Sequence, residues 1–308
     1  MLSPSTPLRD DYRGRDPRAD GRSAYALAAA DDGAWQEAAE LYQQAIDLAP
    51  DWTAAWMGLG GARGALGETA AAMLAYRHAL LLDPADLHGA SMRLAVLDPT
   101  VVPLFASPAY VGALFDAYAP RFEAHLTQGL SYHSPADLVA AMAEVGLWHF
   151  AHAIDLGCGT GLGGVALRPS TEALTGVDLS SEMVATARKK AIYDRLAVGD
   201  ICAFLGAEPV ASADLVFAAD VFVYVGDLAA ILTETARVLR PGGTMAFSAQ
   251  RCAVGIAVGT DMRFAHAISY VDAVLETCGF APLVLRAQSG RRENDGDVPG
   301  LIAVATRL

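Results

Sequence analysis

The residues His152-Ala-Ile-Asp-Leu-Gly-Cys-Gly-Thr-Gly-Leu-Gly-Gly164 decide the fold of this chain. The short run 153–156 predicts a strand, and the apolar text that begins at Leu162 predicts a helix. Between them lies a turn with glycines at alternate positions, namely Gly157, Gly159 and Gly161. Glycine lets the backbone turn sharply and lets a ligand lie against it, because it has no Cβ. The stretch therefore predicts a strand, a ligand-binding loop and a helix, with Asp155 beside the loop.

A second predicted strand, residues 174–178, also ends in an acid, Asp178. A carboxylate at this place can accept both hydroxyls of a ribose, as the acid near this spacing does in dinucleotide folds. The glycines at 159, 161 and 164 also satisfy GxGxxG, the fingerprint of nicotinamide dinucleotides. The loop is therefore compatible with two classes of nucleotide cofactor, of which the nicotinamide dinucleotides are one.

The wider pattern, from Asp155 to Gly161, resembles the D/E-x-G-x-G-x-G loop of class I S-adenosylmethionine-dependent methyltransferases. An acid inside the loop would repel a pyrophosphate, whereas it attracts the ammonium and sulfonium groups of S-adenosylmethionine. This charge argument favours S-adenosylmethionine as the cofactor. The fifth predicted strand is followed by Ser248-Ala-Gln250 and not by the Asp-Asn pair of catechol methyltransferases, so we predict no metal.

The rest of this half repeats strand and helix signals in an order that agrees with the resemblance. The remaining predicted strands are 196–200, 213–220, 243–248, 283–287 and 301–306, and the predicted helices are 227–239 and 270–278. Parallel strand–helix–strand units closed by a terminal hairpin predict an α/β, Rossmann-like sheet over residues 110–308. The resemblance implies the strand order 3-2-1-4-5-7-6, with the last strand antiparallel.

Residues 110–150 are predicted to form lid helices, the first of them a single helix over 110–126 with Phe115, Tyr118, Ala119 and Phe122 on one side. A finer resemblance covers parts of this lid and of the sheet region. The segments 115–119 and 219–228, among others, look like those of a bacterial group of tetratricopeptide-containing predicted methyltransferases. The resemblance implies a lid that covers the substrate. The lid residues that we expect there are Tyr118, Tyr132 and His133.

The resemblance also implies a role for each cofactor residue. Asp155 and the backbone of Leu156, Gly157, Cys158 and Gly159 hold the methionine part, together with the turn at Gly161. Asp178 holds the ribose, while Leu179 and Met183 pack on the adenine. Asp200 and Ile201 border the adenine edge, and Ala219 lies under the methionine. The alternatives are that Met183 is ordinary helix core and that Asp200 caps the next turn.

Methyl transfer from a sulfonium is an in-line displacement, so much of the enzyme's work is positioning and exclusion of water. A base is needed only where the nucleophile carries a proton with a high pKa. His266, predicted in the loop after strand five, is the main candidate because histidine accepts a proton near neutral pH. Tyr224, after strand four, is the second candidate. The alternative for His266 is a structural histidine.

The first half of the chain repeats itself at an offset of 34 residues, the period of the tetratricopeptide repeat. The aligned pairs are Ala26 and Gly60, Gly33 and Gly67, Ala38 and Ala72, Tyr42 and Tyr76, Ala45 and Ala79, and Pro50 and Pro84. Residues 21–98 resemble two such repeats and a capping helix, preceded by a flexible tail at 1–20 and followed by a proline linker at 99–109. The block either binds a protein partner or only stabilises or dimerises the chain.

The chain has 308 residues and a net charge of −13, with 53% hydrophobic and 19% charged residues, so it is not wholly disordered. The acidity argues against nucleic acid as a partner, since a phosphate backbone needs clustered Lys and Arg. No run of about 18 apolar residues predicts a membrane span. Four separate cysteines and a polar N-terminus predict a cytoplasmic protein.

Three hypotheses of function follow. The first is a methyltransferase for a small molecule with an oxygen or nitrogen nucleophile. The second is a protein methyltransferase that recruits its substrate through the repeat block. The third is a non-catalytic binding protein built on the methyltransferase fold, which the intact loop with Asp155 and Asp178 disfavours.

Overall fold

The computed structural model describes residues 16–293 and 296–308, and the chain divides into two compact units after Tyr110. The predicted tail at 1–20 lies mostly outside the described residues. Its last part is helical, because the first helix begins at Pro17 and Asp16 caps it by accepting a hydrogen bond from the Arg18 amide. Among the described residues, no helix is both long enough and apolar enough to cross a bilayer.

The first unit is a block of five helices. They are α1 (Pro17–Asp31), α2 (Trp35–Leu48), α3 (Thr53–Ala65), α4 (Thr69–Leu82) and α5 (Ala90–Leu97), followed by a 3-10 turn at Pro99–Val101. Tight turns join α1 to α2 and α3 to α4, with Gly33 and Gly67 at positive φ. The buried rings of Tyr42 and Tyr76 lie against Gly58 and Gly60 on α3, where no Cβ could fit. The helical character of this block is confirmed.

The second unit opens with broken helices in place of the single helix expected over 110–126. They are α6 (Pro108–Tyr118), a 3-10 turn (Ala119–Arg121), α7 (Phe122–Ala124), a π turn (His125–Gly129) and α8 (Ser134–Glu144). The continuous helix was a wrong prediction. Pro120 explains the break after Tyr118, since proline lacks an amide proton and clashes with the preceding turn.

A mixed sheet forms the centre of the second unit. Its main strands are β1 (Phe150–Leu156), β2 (Thr171–Asp178), β3 (Arg195–Val198), β4 (Ala213–Ala218), β5 (Leu239–Arg251), β8 (Phe280–Ala287) and β11 (Gly300–Arg307). They lie in the order β3-β2-β1-β4-β5-β11-β8. The first five run parallel, and β11 is antiparallel to both of its neighbours. The α/β sheet with a preceding helical block agrees with the predicted fold class.

Four short strands were not predicted. They are β6 (Ile256–Val258) and β7 (Phe264–His266), which extend the sheet beside β5, and the pair β9 (Arg292–Glu293) and β10 (Gly296–Asp297). Strand β5 begins at Leu239, four residues before the predicted start at 243, and directly follows the helix that ends at Val238.

Both faces of the sheet are buried. The helices of the sheet region are α9 (Leu162–Leu167), α10 (Ser181–Lys189), α11 (Ile201–Ala207), α12 (Ala229–Val238) and α13 (Ile268–Thr277). On one face Ile154 and Leu156 join a core with residues of α11, α12 and α13; on the other, Ala153 and Phe217 pack with Leu138 of α8. This sandwich places the carboxyl ends of β1, β2 and β4 at one edge, where ligands bind in such sheets.

Candidate active site

The loop between β1 and α9 has the backbone of a ligand cradle. Gly157, Gly159 and Gly161 take φ angles of 59°, 52° and 95°. A Cβ at Gly157 would lie 2.5 Å from a methyl carbon of Val221, so only glycine fits there. The Cys158 amide donates to the Val177 carbonyl at 2.9 Å, which ties the loop to β2. The predicted glycine turn is thus present.

Asp155 lies under this loop and is only 2% exposed. The Tyr193 hydroxyl donates to its Oδ2 at 2.6 Å and accepts from the Gly164 amide at 3.1 Å. Burial raises the pKa of Asp155 to about 7; the Tyr193 hydrogen bond opposes this rise and the nearby Asp178 charge adds to it. The loop therefore carries a buried carboxylate whose ionisation is favoured by a cation beside it.

Asp178, at the end of β2, joins the same loop. Its Oδ2 accepts from the Gly159 amide at 2.9 Å, and its Oδ1 accepts from the Ser180 amide at 2.8 Å. Burial raises its pKa, and these two amide hydrogen bonds lower it. A carboxylate offers about four lone-pair sites, so two remain for a ligand.

The lid helices close on this loop through aromatic rings and two polar anchors. Phe122 would lie 3.7 Å from a Cβ at Gly159. Ring contacts at 5.3–6.0 Å link Phe122 to Phe115 and Tyr118, and Phe115 lies edge-on to Tyr224 at 5.5 Å. Two anchors fix the lid: Asp116 accepts from the Ser180 hydroxyl at 2.6 Å, and Glu123 pairs with Lys190 at 2.5 Å.

The other predicted cofactor residues lie at the same edge. Leu156, Met183 and Ile201 are buried, and Leu179 and Ala219 are partly buried. Strand β3 ends at Val198, so Asp200 lies beyond it and caps α11 by accepting from the Ala203 amide at 2.9 Å. Asp200 thus caps a helix and Met183 lies in the core, as the two alternatives to cofactor binding expected. The contacts of both residues with adenine stay predictions.

His266 does not lie in a loop, and that placement was wrong. It ends β7, is fully buried, and its Nε2 donates to the Gly226 carbonyl at 2.9 Å. Burial lowers its pKa, although this hydrogen bond raises it. The ring also stacks on Tyr270 at 5.7 Å. These contacts are those of a structural histidine.

The remaining candidates lie in or near the lid. Tyr224 is partly buried in the 3-10 turn Phe222–Tyr224. The Tyr118 hydroxyl contacts His125 Nδ1. His133 is exposed and pairs with Asp137 at 2.6 Å, whereas Tyr132 is partly buried. Burial raises the pKa of Tyr132 well above its ordinary value; the Asp220 charge adds to this, and Arg291 opposes it.

Sequence reasoning missed several of the site's polar residues. These are Tyr193, the buried Arg291, its partner Asp220, and Arg263. The one available signal was Asp220, an acid at the end of a buried strand. Among the described residues, no group of three His, Cys, Asp or Glu side chains is arranged to hold a metal.

Comparison with known proteins gives this geometry a family context. Residues 154–247 match the family described as Methyltransferase domain. This match supports the predicted class I methyltransferase domain in this part of the chain. Malonyl-[acyl-carrier protein] O-methyltransferase of Enterobacter lignolyticus is 36% identical over 140 residues, which are 45% of this chain and 52% of that protein. Trans-aconitate 2-methyltransferase of Azoarcus sp. is 38% identical over 112 residues, 36% of this chain and 43% of that protein.

The chain thus spans about half the length of the curated relatives it matches. In fold, the methyltransferase domain is similar to the crystal structure of the [4+2]-cyclase SpnF, with a TM-score of 0.53, 17% identity, and coverage of 64% of this chain and 95% of that one. At 17% identity this likeness shows the fold alone, and a fold does not determine the reaction.

The residues of the methyltransferase domain fit S-adenosylmethionine. The cradle has no room for a Cβ at Gly157, and the buried carboxylate of Asp155 lies beneath it. The ammonium and sulfonium cations of this cofactor are attracted by the carboxylates of Asp155 and Asp178, whereas a pyrophosphate would be repelled by them.

Proposed function

We propose that the protein transfers a methyl group from S-adenosylmethionine to a small-molecule acceptor with an oxygen or nitrogen nucleophile. The observation that carries the proposal is the pair of carboxylates at the glycine loop, the buried Asp155 and the partly buried Asp178. The names of the relatives support an oxygen acceptor, since they specify a malonyl-[acyl-carrier protein] O-methyltransferase and a trans-aconitate methyltransferase.

When bound, S-adenosylmethionine supplies a methyl group that its sulfonium has already activated. The chain's own part is to bind and orient. In this proposal Asp155 attracts the ammonium through Coulomb attraction in a low-dielectric site, and Asp178 accepts the ribose hydroxyls. The backbone of Leu156 to Gly159 lies along the methionine part, above Ala219.

The adenine in this proposal lies between the start of α10 and the start of α11. Leu179 and Met183 supply its apolar contacts, and Asp200 with Ile201 borders its edge. Since Asp200 uses Oδ1 for its cap, its Oδ2 is the oxygen proposed for the adenine amino group.

The lid excludes water from the reacting atoms. Phe122 covers Gly159, and the rings of Phe115 and Tyr224 extend this cover toward the end of β4. Removing water strengthens the electrostatic contacts inside the site and protects the in-line displacement. Tyr118, Tyr132 and His133 belong to the segments that border the acceptor in this proposal.

The second candidate is methylation of a protein that is recruited by the helical block, which we interpret as two tetratricopeptide repeats. Helices α2 and α4 begin at Trp35 and Thr69, at the sequence offset of 34 residues, and each turn carries a glycine at positive φ. Stacked repeats of this kind present surfaces that bind peptides or a second copy of the chain. Light scattering of the full chain tests self-association.

The three hypotheses are separated by one transfer assay. The full chain is incubated with tritium-labelled S-adenosylmethionine and a bacterial lysate, and the products are divided into small-molecule and protein fractions. Label in the small molecules supports the proposal, and label in protein supports the second candidate. Failure to bind S-adenosylmethionine would leave only the non-catalytic hypothesis.

A further inference from the structure

The buried guanidinium of Arg291 lies near the end of β4 and has no part in the cofactor contacts proposed for this site. Arg291 precedes β9, and its side chain is 4% exposed. Its Nη1 donates to Asp220 Oδ2 at 2.6 Å. Burying a charged group costs several kcal/mol before pairing, and the Asp220 carboxylate offsets part of this cost.

The position of Asp220 ties this pair to the reacting end of the site. Asp220 lies two residues after the end of β4, at a φ of 61°, and its amide donates to the Ser248 hydroxyl at 2.9 Å. The next residue, Val221, is the one that crowds Gly157. The sheet order places β4 beside β1, where the strand order reverses and ligands bind in such folds.

A second guanidinium, that of Arg263, feels the charge of the same carboxylate. Burial lowers the pKa of Arg263, but Tyr224, Asp220 and Asp261 together raise it above its ordinary value. Burial raises the pKa of Tyr132, the Asp220 and Asp155 charges add to this rise, and the Arg291 charge opposes it. The measured contact within this group is the Arg291–Asp220 pair at 2.6 Å.

The lid and the β9 region enclose this cluster together. The His133 amide donates to the Gly290 carbonyl at 2.9 Å, and the Arg292 amide donates to the Leu130 carbonyl at 2.8 Å. A small cavity lies under this junction. It is lined by Ser134, Asp220, Ser248, Gln250, Gly290 and Arg291, among others. Ala249, Val298, Leu301 and Ile302 add an apolar part to the lining, so its polar groups lie on one part of a mixed surface.

We propose that Arg291, assisted by Arg263, binds the carboxylate of an organic acid, and that this carboxylate is the methyl acceptor. The inference rests on the proposed function and names its substrate class. The planar guanidinium matches a carboxylate bidentately, and it has donors for more than one carboxylate partner. Asp220 holds the guanidinium in position, and Tyr132 supplies a neutral hydroxyl next to it.

The transfer step needs no proton to move. One oxygen of the acceptor stays against the guanidinium, and the other gives an electron pair to the methyl carbon. The carbon–sulfur bond breaks with its electrons going to sulfur, so the products are a methyl ester and the neutral thioether. A carboxylate is ionised at neutral pH, so this acceptor requires no general base.

The test uses the chemistry of esters. The full chain transfers tritium-labelled methyl groups to the small-molecule extract of a bacterial lysate, and the product is treated with mild alkali. A carboxylate acceptor gives label that is released as volatile methanol. Label that stays alkali-stable, or that enters only protein, overturns the carboxylate assignment while leaving a methyltransferase. No transfer together with no binding of S-adenosylhomocysteine counts against the proposed function itself.

Variants then test Arg291. In R291Q the KM for the extract's acceptor should rise at least about tenfold, the loss expected for a charged hydrogen bond, with unchanged affinity for S-adenosylhomocysteine. R291K keeps the positive charge but loses the paired N–H donors of the guanidinium, so its KM should lie between those of the wild type and R291Q. This variant keeps the test valid if R291Q does not fold. The matched control is R286Q, which breaks an exposed ion pair with Glu144 and should behave as wild type. Wild-type KM in both Arg291 variants overturns the assignment.

Discussion

The pair formed by Tyr193 and Asp155 gives the sharpest prediction about donor binding. The Tyr193 hydroxyl lies 2.6 Å from Oδ2 of a carboxyl group whose pKa burial raises to about 7. A hydrogen bond to a charged group contributes about 1.5–3 kcal/mol, which is roughly one to two pKa units at about 1.4 kcal/mol each. Tyr193→Phe should therefore raise the pKa of Asp155 to about 8–9.

The expected change in affinity follows from the ionised fraction. At pH 7 about half of the wild-type Asp155 is ionised, against about 1–9% in Tyr193→Phe, so the affinity for S-adenosylhomocysteine should fall about 5- to 50-fold. Donor binding favours the ionised form, so affinity should rise with pH in both proteins. It should level off above about pH 7.5 in the wild type and continue to rise to pH 8.5 in the variant.

Isothermal titration calorimetry of the full chain with S-adenosylhomocysteine from pH 6 to 8.5 measures both curves. Tyr25→Phe is the matched control, because Tyr25 is 69% exposed and lies in the helical block. Curves that coincide for the wild type and Tyr193→Phe would refute the role given to the hydroxyl. An equal loss at every pH would assign it to packing instead.

The same burial has a consequence for folding stability. The pKa of Asp155 is higher in the folded state than in the unfolded chain, where it is near its ordinary value of 3.8. The folded state therefore binds more protons between about pH 4 and 7. The protonated Asp155 carboxyl therefore stabilises the folded state below about pH 4, and this stabilisation is lost as the pH rises through about 7. Donor binding should offset this loss.

Three further substitutions test particular residues. Asp200→Ala should lower the free energy of unfolding by about 0.5–2 kcal/mol because the helix cap is lost, and Asp200→Ser should restore the cap. If Asp200→Ser still binds S-adenosylhomocysteine weakly, the contact of Asp200 with adenine is supported. Full affinity in Asp200→Ser would contradict that contact. His266→Ala should lower the free energy of unfolding in urea by about 1–3 kcal/mol with kcat kept within about twofold, and a loss of kcat alone would restore its catalytic role. Gly60→Ala should destabilise the helical block by about 1–3 kcal/mol because its Cβ meets the Tyr76 ring, whereas the control Gly61→Ala should be neutral or stabilising.

The sheet could be predicted where local signals agreed. Strands β1 and β2 each combine an apolar run with an acid at or next to the last residue. The closely spaced glycines between β1 and α9 indicate a turn, and their φ angles are positive. Each of these signals lies within a few residues, so the order of elements and the cofactor loop follow from the sequence. The lid was harder, because one proline at 120 divided an apolar stretch that otherwise has helical periodicity.

The polar contacts of the site could not be predicted, since they join distant parts of the chain. Tyr193 is 38 residues from Asp155, and Arg291 is 71 residues from Asp220. Nothing in the local sequence distinguishes this arginine from an exposed one. His266 misled for the opposite reason: its residue type suggested a base, but β7 adds to the sheet edge and buries the ring.

Binding of S-adenosylmethionine by the glycine loop and its two carboxylates can be measured by calorimetry. The full chain is titrated with S-adenosylhomocysteine as the wild type, as Asp178→Ala and as the exposed control Asp47→Ala. We expect one site per chain in the wild type and the control, and at least about a tenfold weaker affinity in Asp178→Ala. Wild-type protein that binds no S-adenosylhomocysteine, or an Asp178→Ala variant that binds it as tightly as the wild type, would show that these carboxylates do not form the donor site.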